Sequence, residues 1–134
     1  MSRLLVVDDE ANQRRSLAAG LRIEGFEVEV ACSGVEALDL MARDPFDLVI
    51  LDMMMPVMNG LECARQVHAL FPRTRVALTS AYHLTEAQIE RLNVGIVGFV
   101  PKPCRLDELA EFVRAKLDRN PSSMRIPRAA GSRV

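Results

Sequence analysis

The amino-acid sequence predicts an α/β fold in which a five-stranded parallel sheet carries helices on both faces. Five short apolar segments alternate with five segments whose apolar residues recur at helical spacing, and the connections are short. The middle segment, residues 48–51, is an unbroken run of β-prone residues, which is typical of a strand buried on both faces. The length of 134 residues predicts one domain, followed by a tail, that is large enough to bury roughly two-thirds of its unfolded surface.

Five segments account for the strands. They cover residues 3–7, 26–32, 48–51, 75–80 and 96–100. Four of them are mostly apolar, as expected inside a parallel sheet. The second alternates apolar with polar residues, which predicts a half-exposed strand at an edge of the sheet.

A helical segment follows each strand. The first covers residues 11–24 and is ended by Gly25. The last has apolar residues at helical spacing from Leu106 to Leu117 and ends near Asn120 and Pro121. The three between them begin at polar pairs with the spacing of a helix cap: Ser33 with Glu36, Asn59 with Glu62, and Thr85 with Gln88. In the second helix, Val35, Leu38 and Ala42 form the predicted apolar stripe. The fourth helix is short and reaches about residue 93.

Charge and composition separate a domain over residues 1–120 from a tail over 121–134. The net charge is −1, but four arginines follow Asp118, so residues 1–118 carry 13 basic and 18 acidic groups, a net charge of −5. An acidic body argues against direct binding of nucleic acid by this domain. The tail is rich in Pro, Ser, Arg and Ala and has no periodic apolar face, which predicts a flexible basic tail or the start of a linker.

Cysteine usage and hydropathy exclude two further classes of protein. Cys32, Cys63 and Cys104 are odd in number and widely spaced, so neither a disulfide framework nor a zinc site is predicted, and we expect reduced, mostly buried thiols. The sequence shows no secretion signal and no apolar run long enough to span a bilayer, so we predict a cytoplasmic location without membrane binding.

Polar side chains follow the strands at the points where they end. Asp8 and Asp9 follow the first strand, Asp52 the third and Lys102 the fifth, while Thr79 lies at the end of the fourth. Because parallel strands end at the same edge of a sheet, these residues should converge in one acidic pocket. Lys102 is also one of only two lysines among 17 basic residues, which favours a position that needs a compact ammonium group.

The chemistry of these residues suits phosphoryl transfer. Carboxylates crowded together raise one another's pKa unless a cation lies among them, and oxygen ligands without His or Cys favour Mg²⁺. Asp52 would then be the nucleophile, Asp8 and Asp9 the metal ligands, Lys102 a second cation and Thr79 a hydroxyl donor. The sequence has no glycine-rich phosphate-binding loop, so nucleotide hydrolysis is not expected.

Five motifs in order resemble the receiver domain of two-component response regulators. They are Val-Val-Asp-Asp-Glu at 6–10, Leu-Asp-Met-Met-Met-Pro at 51–56, Asn-Gly at 59–60, Leu-Thr-Ser at 78–80 and Phe-Val-Pro-Lys-Pro at 99–103. The resemblance covers residues 3–118 and implies a flavodoxin-like sheet with strand order 2-1-3-4-5. The chemotaxis receiver is a known example of that order, and the order is taken here from the resemblance.

The resemblance implies a chemical role for the acidic pocket. Asp52 would accept a phosphoryl group from a histidine kinase or a phosphotransfer protein. Mg²⁺ would be bound by Asp9, Asp52, the Met54 carbonyl group and, through water, Asp8. Such a domain is not an enzyme in the ordinary sense, since it catalyses only its own phosphorylation and slow dephosphorylation.

The resemblance also implies a switch. The Thr79 hydroxyl would move toward the phosphoryl group, and Phe99 would turn inward behind it. This would alter a surface over about residues 85–117 that binds an output domain or a partner protein, or that forms a phosphorylation-dependent homodimer.

Three positions depart from the common pattern of the family. Met54 and Ala81 stand where many members place polar groups that orient the hydrolytic water, so we predict slow self-dephosphorylation. Cys104 stands where a bulky aromatic residue is common, which affects the predicted packing of the last helix.

Other interpretations stay open at this point. Asp8 and Asp9 could cap the first helix, and Phe99 could be a plain core residue. A phosphatase of the haloacid dehalogenase type also uses an aspartate nucleophile, but it needs a second acid where Met54 stands. A receiver-shaped scaffold that is never phosphorylated would normally have lost a pocket residue, and none is missing.

Overall fold

Parallel strands and flanking helices make up the part of the chain that the computed structural model describes, which is residues 2–55, 58–81, 85, 87, 88, 90 and 95–117. The strands are β1 (Arg3–Val7), β2 (Glu27–Ala31), β3 (Leu48–Asp52), β4 (Arg75–Ser80) and β5 (Ile96–Pro101). The helices whose two ends both lie in this part are α1 (Ala11–Ile23), α2 (Gly34–Arg43), α3 (Gly60–Leu70) and α4 (Leu106–Leu117). The predicted tail, residues 121–134, lies outside the described residues.

The strands form one sheet in the order β2-β1-β3-β4-β5, and every pairing is parallel. This confirms both the predicted order and the position of β2 at an edge. In register, Asp52 at the end of β3 lies beside Thr79 of β4, and Ser80 lies beside Pro101 of β5. The central strands therefore end together at one edge of the sheet.

Helices cover both faces of the sheet, as predicted. On one face, α2 and α3 pack against Leu5, Val49 and Leu78. On the other, α1 and α4 pack against Leu4 and Ile50. Because neighbouring residues of β1 and β3 point to opposite faces, each of these strands contributes to both cores, which explains their unbroken apolar sequence.

The predicted helix caps are present. The Ser33 and Asn59 side chains accept hydrogen bonds from the Glu36 and Glu62 N–H groups at 3.1 and 2.9 Å. The Thr85 N–H donates to the Gln88 side chain at 2.8 Å, and the Gln88 N–H donates to the Thr85 side chain at 3.1 Å. Residues 87, 88 and 90 are helical, whereas most of the remaining predicted helix to residue 93 lies outside the described residues.

The predicted apolar stripe of α2 is correct for Leu38, which is half-buried against the core, and wrong for Val35 and Ala42, which are exposed. The helix buries Gly34, Ala37 and Met41, and it leaves Val35 exposed. Gly34 and Ala37 face inward because α2 approaches α3 closely: a side chain at position 34 would contact the Met58 sulfur and the Cβ atom of Cys63.

The predicted burial of the cysteines is correct for Cys63, which is buried in the core, and half correct for Cys104, which is half-buried. It is wrong for Cys32, which is exposed. Strand β2 ends at Ala31, so Cys32 lies in the turn before α2, where its N–H donates to the Glu36 carboxylate.

Candidate functional site

Side chains from four strand ends meet at one edge of the sheet. Asp8 directly follows β1, Asp52 is the last residue of β3, and both are buried. Thr79 is buried on β4 beside Asp52, and Lys102 follows β5. The structure therefore brings together four predicted site residues that are far apart in the sequence: Asp8, Asp52, Thr79 and Lys102.

Lys102 joins two of the carboxylates. Its Nζ atom lies 3.1 Å from Asp8 Oδ2 and 3.2 Å from Asp52 Oδ2. Its backbone N–H donates to the Ser80 carbonyl group at 2.8 Å, which fixes the start of the loop after β5. Since both carboxylates are largely withdrawn from water, these ion pairs are screened less than surface pairs.

The environment of Asp52 disfavours its charged form. Burial raises the pKa of the Asp52 carboxyl above its ordinary value, and the Asp8 charge adds to this, while the Met54 N–H and the Lys102 ammonium lower it. The Met54 N–H donates to Asp52 Oδ1 at 3.1 Å. These favourable contacts do not offset the cost of burying the Asp52 charge, so a further cation would stabilise the charged form.

The geometry of the acidic pocket (Asp8, Asp9 and Asp52) fits a small divalent ion. Each residue offers one carboxylate oxygen, and these oxygens all lie within 4.8 Å of one another. Asp9 is exposed, whereas the other two acids are buried, so the pocket opens to solvent on the Asp9 side. A donor set made only of carboxylate oxygens matches the preference of Mg²⁺.

An open cleft of about 520 Å³ leads away from Thr79 and Lys102 between α1 and the loop before α4. Ala81 and Cys104 also line it. Met54 is 57% exposed. Methionine and alanine carry no hydroxyl, amide or charged group, so neither Met54 nor Ala81 offers one near the pocket. Phe99 is half-buried and packs against the core beneath α2 and α3.

Sequence reasoning missed two residues next to the acidic pocket. Glu10 caps α1, since its carboxylate accepts from the Asn12 and Gln13 N–H groups, so the open possibility that Asp8 or Asp9 is the cap is wrong. Arg14 donates from its guanidinium to the Asp8 carbonyl group at 2.8 Å. Nothing in the local sequence around Arg14 indicates a hydrogen bond to the Asp8 carbonyl group. Glu10 belongs to the motif at residues 6–10, so its position could have drawn attention to it, but no role was predicted for it.

The second lysine has a different environment. Lys116 of α4 is buried, its Nζ atom lies 5.7 Å from the centroid of the Phe112 ring, and burial lowers the pKa of its ammonium group. It packs beside Gly98 of β5, where an added Cβ atom would contact both Phe112 and Lys116. Lys116, the other of the two lysines, therefore occupies a packing position and is not part of the acidic pocket.

Comparison with known families decides the identity of the fold. The family described as "Response regulator receiver domain" matches residues 4–114. The chain belongs to this family. The receiver is a signalling domain of two-component response regulators, and the phosphatase alternative is not favoured.

Known receivers share both sequence and fold with this chain. Response regulator MprA from Mycobacterium sp. (strain KMS) is 40% identical over 117 residues, which is 87% of this chain and 51% of that protein. The chain spans about half the length of the curated relatives it matches. A receiver domain protein (CheY-like) from Methanospirillum hungatei JF-1 has a TM-score of 0.82 at 31% identity, over 88% of this chain and 94% of that chain.

A second solved relative is described as a complex. The response regulator TrrA from Thermotoga maritima, described in complex with Mg(2+)-BeF, is 37% identical, with a TM-score of 0.77 over 88% of this chain and all of that chain.

Among the residues that the structure of our protein describes, none of the helices combines the length and apolar character needed to cross a membrane.

Proposed function

We propose that Asp52 is the phosphoryl acceptor of this receiver and that a histidine kinase or phosphotransfer protein in the cytoplasm is the donor. The observation that carries this proposal is the buried Asp52 carboxylate, held 3.2 Å from the Lys102 ammonium and grouped with two further acids. The Mg(2+)-BeF complex of TrrA supports the same assignment, because Mg²⁺ is the ion that the donor set favours.

The chain's own groups would prepare both reactants. An oxygen of the Asp52 carboxylate attacks phosphorus, the phosphorus–nitrogen bond of the donor breaks, and the electron pair stays on the imidazole nitrogen. The Met54 N–H and the Lys102 ammonium orient the carboxylate, and Lys102 also offers a positive charge to the phosphoryl oxygens. The Thr79 hydroxyl would donate to one of those oxygens.

Magnesium would be held by Asp9, Asp52, the Met54 carbonyl group and, through water, Asp8. The ion neutralises negative charge on the transferring group. The three side chains that would hold it are those whose oxygens lie within 4.8 Å of one another. This gives a reason why the pocket keeps three acids against one lysine.

Phosphorylation would act through Thr79 and Phe99 on a surface over about residues 85–117. We propose that this surface of the receiver, residues 1–120, binds an output domain or partner protein or a second copy of the chain, and that residues 121–134 form a basic tail or the start of a linker. MprA from Mycobacterium sp. (strain KMS) carries sequence beyond its receiver, since the match covers 51% of its length. We propose no direct binding of nucleic acid by this domain.

The test is mass spectrometry of the full chain after incubation with acetyl phosphate and Mg²⁺. We expect one added phosphoryl group, located by fragmentation on the peptide that contains Asp52, and none when the metal is chelated. An unmodified protein, or a phosphoryl group located on Asp8 or Asp9, would contradict the proposal.

The exposed Met54 side chain leads to a kinetic prediction. We expect the phosphorylated protein to persist well beyond seconds, and the substitution Met54→Gln to shorten its lifetime about tenfold, because an amide near the pocket orients the attacking water; tenfold corresponds to about 1.4 kcal/mol of barrier. Release of inorganic phosphate measures this. Val35→Gln, at a similarly exposed apolar position on α2, should leave the lifetime unchanged, and a wild-type lifetime of only seconds would refute the prediction.

A further inference from the structure

Arg14 ties α1 to the backbone of the acidic pocket. It lies in the second turn of the helix, is half-buried, and donates from its guanidinium group to the Asp8 carbonyl group at 2.8 Å. This carbonyl group belongs to the peptide unit that joins Asp8 to Asp9. The bond therefore acts on the backbone between two acids of the pocket.

The other polar groups of Asp8 are also held. The Asp8 N–H donates to the Ala31 carbonyl group at 3.2 Å, Oδ1 accepts from the Glu10 N–H at 2.9 Å, and Oδ2 accepts from Lys102 at 3.1 Å. With Arg14 on the carbonyl oxygen, every polar group of this residue has a partner. The peptide plane that follows Asp8 is thus fixed by α1.

Asp9 depends on that plane. Its carboxylate is exposed, and no hydrogen bond or ion pair to it is present among the described residues. The backbone is therefore what places this carboxylate within reach of the other two acids. A residue that fixes the Asp8–Asp9 peptide plane sets the distance between the metal-binding oxygens.

We propose that Arg14 is a positioning residue for the metal site. The inference rests on the proposed binding of Mg²⁺ by the acidic pocket. Arg14 acts through the backbone, by holding Asp9 in line with Asp52, and does not itself contact the ion.

The charge of Arg14 makes the sign of the effect informative. A guanidinium group beside the pocket repels a divalent cation, so electrostatics alone predicts tighter Mg²⁺ binding when Arg14 is neutralised. Positioning predicts the opposite, because a loose Asp8–Asp9 backbone must be ordered again on binding. The direction of the change in affinity separates the two explanations.

The experiment is a calorimetric titration of the full chain with Mg²⁺. The melting temperature of each variant is measured separately. We expect Arg14→Gln to weaken Mg²⁺ binding about tenfold, the lower end of what loss of a supporting hydrogen bond costs a metal site. Arg14→Lys keeps the charge and one donor, so its affinity should fall between the two. Arg15→Gln, the exposed neighbour on the same helix, should bind like wild type.

Arg22→Gln is the matched control for loss of stability. Arg22 also lies on α1 and donates to a backbone carbonyl group, that of Val28, at 2.7 Å, but Val28 belongs to β2. It should lower the melting temperature and leave Mg²⁺ affinity unchanged.

Each outcome decides the matter. Equal or tighter binding by Arg14→Gln, or equal weakening by Arg22→Gln, would overturn the positioning role while the proposed function stands. If Arg14→Gln does not fold, wild-type affinity in Arg14→Lys would overturn it. Absence of Mg²⁺ binding in the wild-type protein would instead overturn the proposed metal site, and this inference with it.

Discussion

Replacing Asp52 with asparagine is expected to abolish phosphorylation and, in the absence of Mg²⁺, to stabilise the protein at neutral pH. The amide lacks the nucleophilic oxygen, so acetyl phosphate should add no phosphoryl group. The variant also removes a buried charge whose pKa is raised mainly by burial and secondly by Asp8. Lys102 keeps Asp8 as a partner at 3.1 Å, so its ammonium group is not left unpaired.

The pH dependence of this gain follows from the direction of the pKa shift. Because the folded-state pKa of Asp52 lies above the ordinary value of 3.8, the folded protein binds this proton more tightly than the unfolded chain does. The corresponding stability is present below the unfolded-state pKa and is lost as pH rises through the raised folded-state pKa. The wild-type protein and the variant should therefore differ above that window and converge below it.

Urea unfolding across this pH range, with and without Mg²⁺, measures the effect. Added Mg²⁺ should stabilise the wild-type protein more than the variant, because the ion supplies the missing positive charge. The control is Asp39→Asn. Asp39 is exposed on α2, and its carboxylate has no hydrogen-bond or ion-pair partner among the described residues, so the substitution should change neither the stability nor its response to Mg²⁺. A variant less stable than wild type at neutral pH without Mg²⁺ would contradict our account of the site's electrostatics.

Gly60→Ala is expected to destabilise the protein by about 2–3 kcal/mol, toward the upper end of the cost of overpacking. An added Cβ atom would lie 2.5 Å from the Asp52 carbonyl oxygen and 2.7 Å from the Met53 Cα atom. Both are backbone atoms, and the Gly60 N–H already donates to the Met53 carbonyl group at 3.0 Å. Relief therefore requires the turn after β3 to move, and Asp52 with it.

Gly20→Ala is the matched comparison. There the added atom would overlap the Leu106 side chain even more closely, but that side chain is partly exposed and can rotate. Alanine also has the higher helix propensity, by about 1 kcal/mol, so we expect little net change. Urea unfolding should rank Gly60→Ala well below Gly20→Ala in stability, and the reverse order would refute this interpretation.

The sequence alone determined the order of elements, the caps at Ser33, Asn59 and Thr85, and the membership of the acidic pocket. These features depend on local patterns: apolar periodicity, polar pairs three residues apart, and acids directly after strands. The topology rule that parallel strands end at one edge then brings Asp8, Asp52, Thr79 and Lys102 together without knowledge of any contact. The motifs that carry the family resemblance lie at the same strand ends.

Tertiary structure alone decided which contacts these residues make. That Lys102 joins Asp8 to Asp52 depends on distances between segments remote in the chain. That Arg14 holds the Asp8 carbonyl group depends on how α1 lies against the end of β1, only six residues away in the sequence. The exposed Val35 has the same cause, because the close approach of α2 to α3 requires small residues at the interface. Local sequence encodes which elements form, whereas the side chain that reaches a given atom depends on how closely the elements pack.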